Sequence, residues 1–203
     1  MTQTVAALYD RYDSAVSAVD ALEAAGIPHS DISIVSNNVD NRYGKDRPTH
    51  AAQDARKGAG IGAAVGGAGG LLTGLGLLAI PGVGPVVAAG WLVATAAGAV
   101  TGAVVGGAAG GLVGSLTGAG VPAPDANFYA EGVRRGGTLV TARVDDARTS
   151  TAREILERYK LVGPALRAAA YRESGWTSFD PNAPAYTVDQ VAAERRRYIG
   201  GGI

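Results

Sequence analysis

The chain contains no cysteine among its 203 residues, which excludes disulfides, thiolate metal sites and cysteine nucleophiles. Aromatic residues are scarce, at 6%. An excess of charge of either sign is also missing. Eighteen Lys and Arg (18) balance 18 Asp and Glu, so net charge gives no argument for nucleic acid as a partner. The opening residues, MTQTVAALYDRYD, lack a basic stretch followed by an apolar run. No secretory signal is therefore read, and the chain is expected to begin in the cytoplasm.

The most informative absence is local. No Asp, Glu, Lys or Arg occurs between Lys57 and Asp125, and about two thirds of the 31 glycines lie in that window. The flanks carry every charge. Such a partition implies two solvents, or two packing regimes, in one chain.

Residues 1–50 read as strand, helix, strand. VAALY (5–9) is a short apolar run suited to a buried strand. Asp13 is placed to cap a helix from Ser14 to Ala25, with Val16, Val19 and Leu22 on one face. Gly26 fits the left-handed position after that helix, and Pro28 prevents its continuation. DISIVS (31–36) reads as a second strand. Residues 125–171 mirror the pattern. DANFYAEGVRR forms a helix stopped by Gly136 and Gly137. TLVTARV (138–144) alternates with period two, as a strand with one buried face does. Thr151 and Glu154 have capping-box spacing for the next helix, and ALRAAAY (165–171) reads as a last strand. The two halves together make an α+β, ferredoxin-like βαβ-βαβ sandwich. Residues 172–203 are a linker and tail, in which Thr187 and Gln190 have capping-box spacing for a short helix.

Between the halves, at 51–120, glycine recurs every fourth residue: Gly58, Gly62, Gly66, Gly70 and Gly74, then Gly98, Gly102, Gly106, Gly110, Gly114 and Gly118. Small residues at this spacing let two helix backbones approach closely. Pro81, Gly82, Gly84 and Pro85 break the run and make a turn. The window therefore reads as an antiparallel helical hairpin, helix A from about Ala51 to Ala79 and helix B from about Val86 to Thr117. Each interior glycine costs a helix about 1 kcal/mol relative to alanine in water. A lipid bilayer, or burial between subunits, must offset that cost. Arg56, Lys57, Arg134 and Arg135 flank the window, and Trp91 lies within it, as cations and an aromatic do at a membrane interface.

No catalytic constellation is readable. His29 and His50 stand alone beside turn residues, without metal-ligand spacing. Gly74-Leu-Gly76-Leu-Leu-Ala79 matches a dinucleotide fingerprint only on paper, since no strand precedes it and Pro81 follows. Asp10, Asp13, Asp145 and Asp146 fall near strand ends and read first as caps and turn residues. Arg134-Arg135-Gly136-Gly137 and the ERRR run at 194–197 are candidate anion or partner contacts.

Three stretches, VAALYDRYDSAVSAVDALEAAGIPHSDISIVS, AIPGVGPVVAAG and FYAEGVRRGGTLVTARV, in this order, resemble the bacterial general stress protein 17M-like (heat-induced stress protein) family. The resemblance covers roughly residues 4–171. It implies a stress-induced, non-catalytic protein, often described as a membrane protein, and brings no catalytic residues.

The sequence thus leads to a non-catalytic stress protein without cofactor or metal, whose partners are membrane lipid, further copies of itself, or both. Its α/β domain and both termini are expected on the cytoplasmic side of the cell membrane. Two alternatives stand beside this: a soluble cytoplasmic assembly with the hairpins buried between subunits, and a ferredoxin-like module that senses a small ligand. The tail is the candidate contact for a protein partner.

Overall fold

The computed structural model describes residues 2–42, 76–92, 111–159 and 164–199. Their strands are β1 (Thr2–Tyr9), β2 (Ile32–Asn37), β3 (Gly76–Ile80), β4 (Gly84–Gly90) and β5 (Thr138–Asp145). Their helices are α1 (Tyr12–Ala24), α2 (Leu112–Gly118), α3 (Ala123–Arg134), α4 (Thr149–Arg158), α5 (Pro164–Glu173) and α6 (Val188–Ile199).

The five strands form one antiparallel sheet in the order β1-β5-β2-β4-β3. β1 and β2 do not touch. β5 lies between them, with Ala142 opposite both Val5 and Ile32. β1 and β2 thus run parallel to each other, connected by α1, with β5 antiparallel to both. Helix α1 ends as its sequence predicts. Gly26 adopts a φ of +81°, and Ile27 N–H donates to Leu22 O at 3.1 Å, the closing bond of a Schellman turn. Its start differs from expectation: Asp13 lies inside the first turn and makes no cap. Likewise α4 starts two residues before Thr151, held by Asp145, which accepts from Arg148 N–H at 2.9 Å.

Both faces of the sheet are covered. Tyr9, Ile32, Ile34, Val140 and Ala142 pack beneath α1 and α4. Leu8, Val35, Val86, Ala88 and Leu139 pack beneath α2 and α3, with Tyr171 of α5. The period-two reading of β5 is right for Val140, Ala142 and Val144, but Leu139 and Thr141 on its other face are buried too. Double coverage explains why all six residues of β2 are buried, as in any strand enclosed on both sides.

Two elements overturn the sequence reading. The segment ALRAAAY is helix α5, not a strand. Alanine and leucine favour helix, Pro164 fits its first turn, and the buried residues Arg167 and Tyr171 lie four apart on one face. The second correction concerns the helical hairpin. Ala79, expected at the end of helix A, lies in β3, and Val86, expected to open helix B, lies in β4. Pro81, Gly82, Gly84 and Pro85 do turn the chain, but between strands. Val83 N–H donates to Ile80 O at 3.0 Å, and Gly82 takes a φ of +73°, the geometry Pro-Gly favours in a type II turn. The apolar runs LLAI and PVVAA are too short for independent helices and are rich enough in β-branched residues for strands. They add to the free edge of β2, with Val35 opposite Ala88.

Gly58, Gly62, Gly66, Gly70, Gly74, Gly98, Gly102, Gly106 and Gly110, with Arg56, Lys57 and His50, lie outside the described residues. Gly114 and Gly118 belong to α2. A Cβ on Gly118 would meet nothing within 4 Å, so no backbone approaches it closely among the described residues.

At Gly90 the sheet depends on glycine. Its φ is +94°, and a Cβ there would collide with the carbonyl oxygen of Ile32. Gly90→Ala is expected to lower stability by more than about 3 kcal/mol, the strain of a left-handed non-glycine residue plus a backbone clash. Urea denaturation followed by circular dichroism measures it.

Candidate functional site: an arginine cluster beneath a C-terminal strap

Helix α3 carries Glu131, Arg134 and Arg135 in its last turn, where i,i+3 and i,i+4 spacing brings opposite charges together. Glu131 is fully buried. It accepts from Arg135 Nε at 2.6 Å and from Arg134 Nη1 at 3.3 Å. A carboxylate removed from water needs such compensation. Arg135 also lies over the ring of Tyr171, 4.3 Å from its centroid, and donates to Ser174 Oγ at 3.1 Å. Burial works against its charge, but the bond to Glu131 and the nearby Tyr186 and Glu194 outweigh this and hold its pKa above the usual arginine value. Beside it, Arg167 pairs with Asp10 at 2.5 Å, each side chain only 5% exposed.

The C-terminal segment closes over this cluster. From α5 the chain runs across the β3–β4 turn, where Phe179, Asp180 and Pro181 lie so near Gly82 that a Cβ would sit 2.6 Å from Asp180 O. Phe179 N–H donates to Asn127 Oδ1 at 3.1 Å. Arg134 donates to Pro184 O at 3.0 Å and lies 4.8 Å from the ring centroid of Tyr186. The expected capping box then starts α6: Thr187 N–H donates to Gln190 Oε1 at 2.9 Å, and Gln190 N–H to Thr187 Oγ1 at 3.3 Å. Helix α6 sets Val191 against Gly136, whose φ is +104°. Its Glu194 reaches Arg135 at 3.6 Å. Its Arg195 pairs with Asp40 at 2.5 Å and donates to Gly136 O at 3.0 Å. Residues 174–199 are a strap, bound by charge and by two aromatic rings.

The sequence-predicted site residues are therefore dispersed. Arg134 and Arg135 are interior residues with internal partners, not a solvated helix end. Trp91 lies 4.8 Å beneath the guanidinium of Arg143, which also bonds Asp31 at 2.9 Å, so it is pinned at the end of the sheet. Asp10, Asp13, Asp145 and Asp146 do not meet: Asp10 faces Arg167, Asp145 caps α4 and Asp146 accepts from Gln3 at 2.9 Å. His29 sits exposed in the short 3-10 turn His29–Asp31. Sequence reasoning missed Glu131, Tyr171 and Tyr186, and read Glu194 within the ERRR run as an outward contact rather than a partner of Arg135. Only the four-residue spacing of Glu131 and Arg135 signalled any of them.

These features define an α/β domain in three layers, with one cluster of charged residues turned inward and the C-terminal segment strapped across one layer. Residues 4–79 match the family model of the heat induced stress protein YflT domain. The match agrees with the family resemblance over these residues, which are 76 of the 203. No curated protein and no solved structure matches it. The matched segment holds β1, α1, β2 and most of β3, but not β5, which must lie between β1 and β2.

Glu131→Gln leaves two buried guanidinium groups short of a counter-charge and is expected to cost about 3–5 kcal/mol, read as a lower urea midpoint. Gly136→Ala should instead release the strap: chymotrypsin would cut after Trp176, Phe179 or Tyr186 faster while the thermal transition of the remaining domain stays in place. Alkaline pH gives a third check. Burial pushes the Tyr129 hydroxyl up to about 12, helped by Asp125 and Glu157, and burial also raises Tyr9, which donates to Leu156 O at 2.8 Å. Both groups hold their proton more tightly when folded. Their stabilising contribution is complete below pH 10, the ordinary tyrosine value, and is lost as pH rises above it. A pH series of melting temperatures for wild type and Tyr129→Phe should diverge only on that alkaline limb.

Proposed function

We propose that the chain is a non-catalytic stress-associated protein that works by self-association, with its two glycine rows as the contact surfaces. The observation that carries this is the register of the β3–β4 hairpin. Gly76 lies opposite Ala88, and Gly90 opposite Ser33, so the charge-free stretches 58–75 and 93–110 join the domain side by side. They also join it with opposite chain directions, as an antiparallel pair requires. The buried charges are committed to one another, which favours association over chemistry.

The anchor reading has weaker support. No helix among the described residues is long and apolar enough to cross a membrane. Each charge-free stretch has 18 residues. A crossing and return requires roughly 40 apolar residues. Contact with a membrane surface is the remaining form of that reading.

Light scattering after gel filtration, together with vesicle flotation, tests the proposal. The full chain is expected as a discrete oligomer that does not float with anionic vesicles. Gly66→Ile with Gly70→Ile, or Gly102→Ile with Gly106→Ile, should give monomers with unchanged circular dichroism. A wild-type monomer at tens of micromolar contradicts self-association. A monomer that floats supports the membrane surface instead.

A further inference from the structure

Residues 179–185 of the strap lie directly over the β3–β4 turn. A Cβ on Gly82 would fall 2.6 Å from Asp180 O and 2.8 Å from the Cα of Pro181, and one on Gly84 would fall 2.8 Å from the Cβ of Ala185. Glycine at both positions is what lets the two chain segments approach this closely. Trp176 and Phe179 also pack against the core that holds Ile80 and Val83, the residues on either side of Pro81 and Gly82. The outer strand of the hairpin has few other supports. β3 ends the sheet and pairs only with β4 among the described residues, and its Leu77 is 47% exposed.

The strap itself is anchored elsewhere. Helix α6 docks at the end of α3 and just beyond β2: Val191 is buried against Gly136, Glu194 reaches Arg135, and Arg195 reaches Asp40. Departure of α6 as a unit differs from breaking one pair inside the closed structure. Arg135 stays bonded to Glu131 at 2.6 Å, Asp40 stays paired with Arg42 at 2.5 Å, and both regain water. No buried charge is orphaned, which places such an opening below global unfolding.

We propose that the strap is a latch on the β3–β4 hairpin. With α6 docked, residues 179–185 clamp the turn and hold β3 in the sheet. With α6 undocked, the clamp lifts and β3 separates from β4, while β1, β5 and β2 stay paired. The charge-free stretches join the domain at this hairpin, so the latch sets whether Gly76 and Gly90 stay side by side. That last consequence rests on the self-association reading; the latch does not.

Amide exchange of the full chain tests it. Asn38 N–H donates to Pro85 O at 2.9 Å, so odd residues of β4 bond to β2 and even ones to β3. Leu78 and Val86, opposite each other, therefore report the β3–β4 ladder, with Val140 and Ala142 of β5 as the reference. Val191→Asp puts a charge where α6 docks and alters nothing in the domain beneath. The α6 amides are expected to lose protection and the reference amides to stay unchanged. Leu78 and Val86 should exchange at least about tenfold faster, as loss of apolar cover equal to one buried side chain implies. Val188→Asp, at an exposed position of the same helix, should leave every rate as in wild type. In wild type at low urea, α6 and the β3–β4 ladder should open together before the reference amides do. Unchanged Leu78 and Val86 rates in V191D, α6 still protected in V191D, equal acceleration throughout the sheet, or separate opening of α6 and β3 in wild type overturns the latch. Light scattering separates the two readings. A monomeric wild type with linked exchange removes self-association and keeps the latch; an oligomer without linked exchange does the reverse.

Discussion

The fold depends on one non-local pairing, the insertion of β5 between β1 and β2. Neither β1 nor β2 has a neighbour within the first 42 residues. Each gains one only when Thr138–Asp145 arrives from the other end of the chain. Closing so long a loop costs entropy before any contact is made. The return is a central strand buried on both faces. Everything else is arranged around it: α1 and α4 cover one face, α2 and α3 the other, and the β3–β4 hairpin extends the sheet on the far side of β2. The segment matching the YflT domain holds β1 and β2 but not β5, the strand that lies between them.

What the sequence made legible was local. The Schellman turn at Gly26, the capping box at Thr187 and Gln190, and the alternation in TLVTARV all depend on neighbours a few residues apart, and each is found. The errors arose where a local pattern served a different tertiary purpose. ALRAAAY reads as a last strand, but its alanine content favours helix, and it forms α5 while β3 and β4 extend the sheet. The uncharged window reads as one helical hairpin, which places 76–79 and 86–90 in its helices rather than in strands. Yet the glycine spacing itself stops at Gly74 and resumes at Gly98. Gly76 and Gly84 are off that four-residue grid and Gly82 and Gly90 are isolated on it, and all four are positions where strands begin, turn or end.

The candidate site was less legible, for a physical reason. Arg134 and Arg135 look like a solvated helix end because their partners are remote in sequence: Ser174, Pro184, Tyr186 and Glu194. Charged residues in a chain of zero net charge can be assigned to surface or interior only when their counter-charges are located. Here the C-terminal strap supplies them, which gives residues 174–199 a structural role that a linker-and-tail reading lacks. The interior pairs stabilise the closed arrangement mainly because breaking any one of them leaves a charge without water or partner.

The placement of residues 76–90 in the sheet is tested most directly by a cross-link. Val35 and Ala88 lie opposite each other in β2 and β4, at a position whose backbones do not bond to one another, the closer type of antiparallel pair. The chain has no cysteine of its own, so Val35→Cys with Ala88→Cys introduces the only thiols. Mild oxidation is predicted to close an intramolecular disulfide quantitatively, without loss of circular dichroism signal. Free thiols, or cross-links only between molecules, would contradict the sheet and return this segment to a helical hairpin.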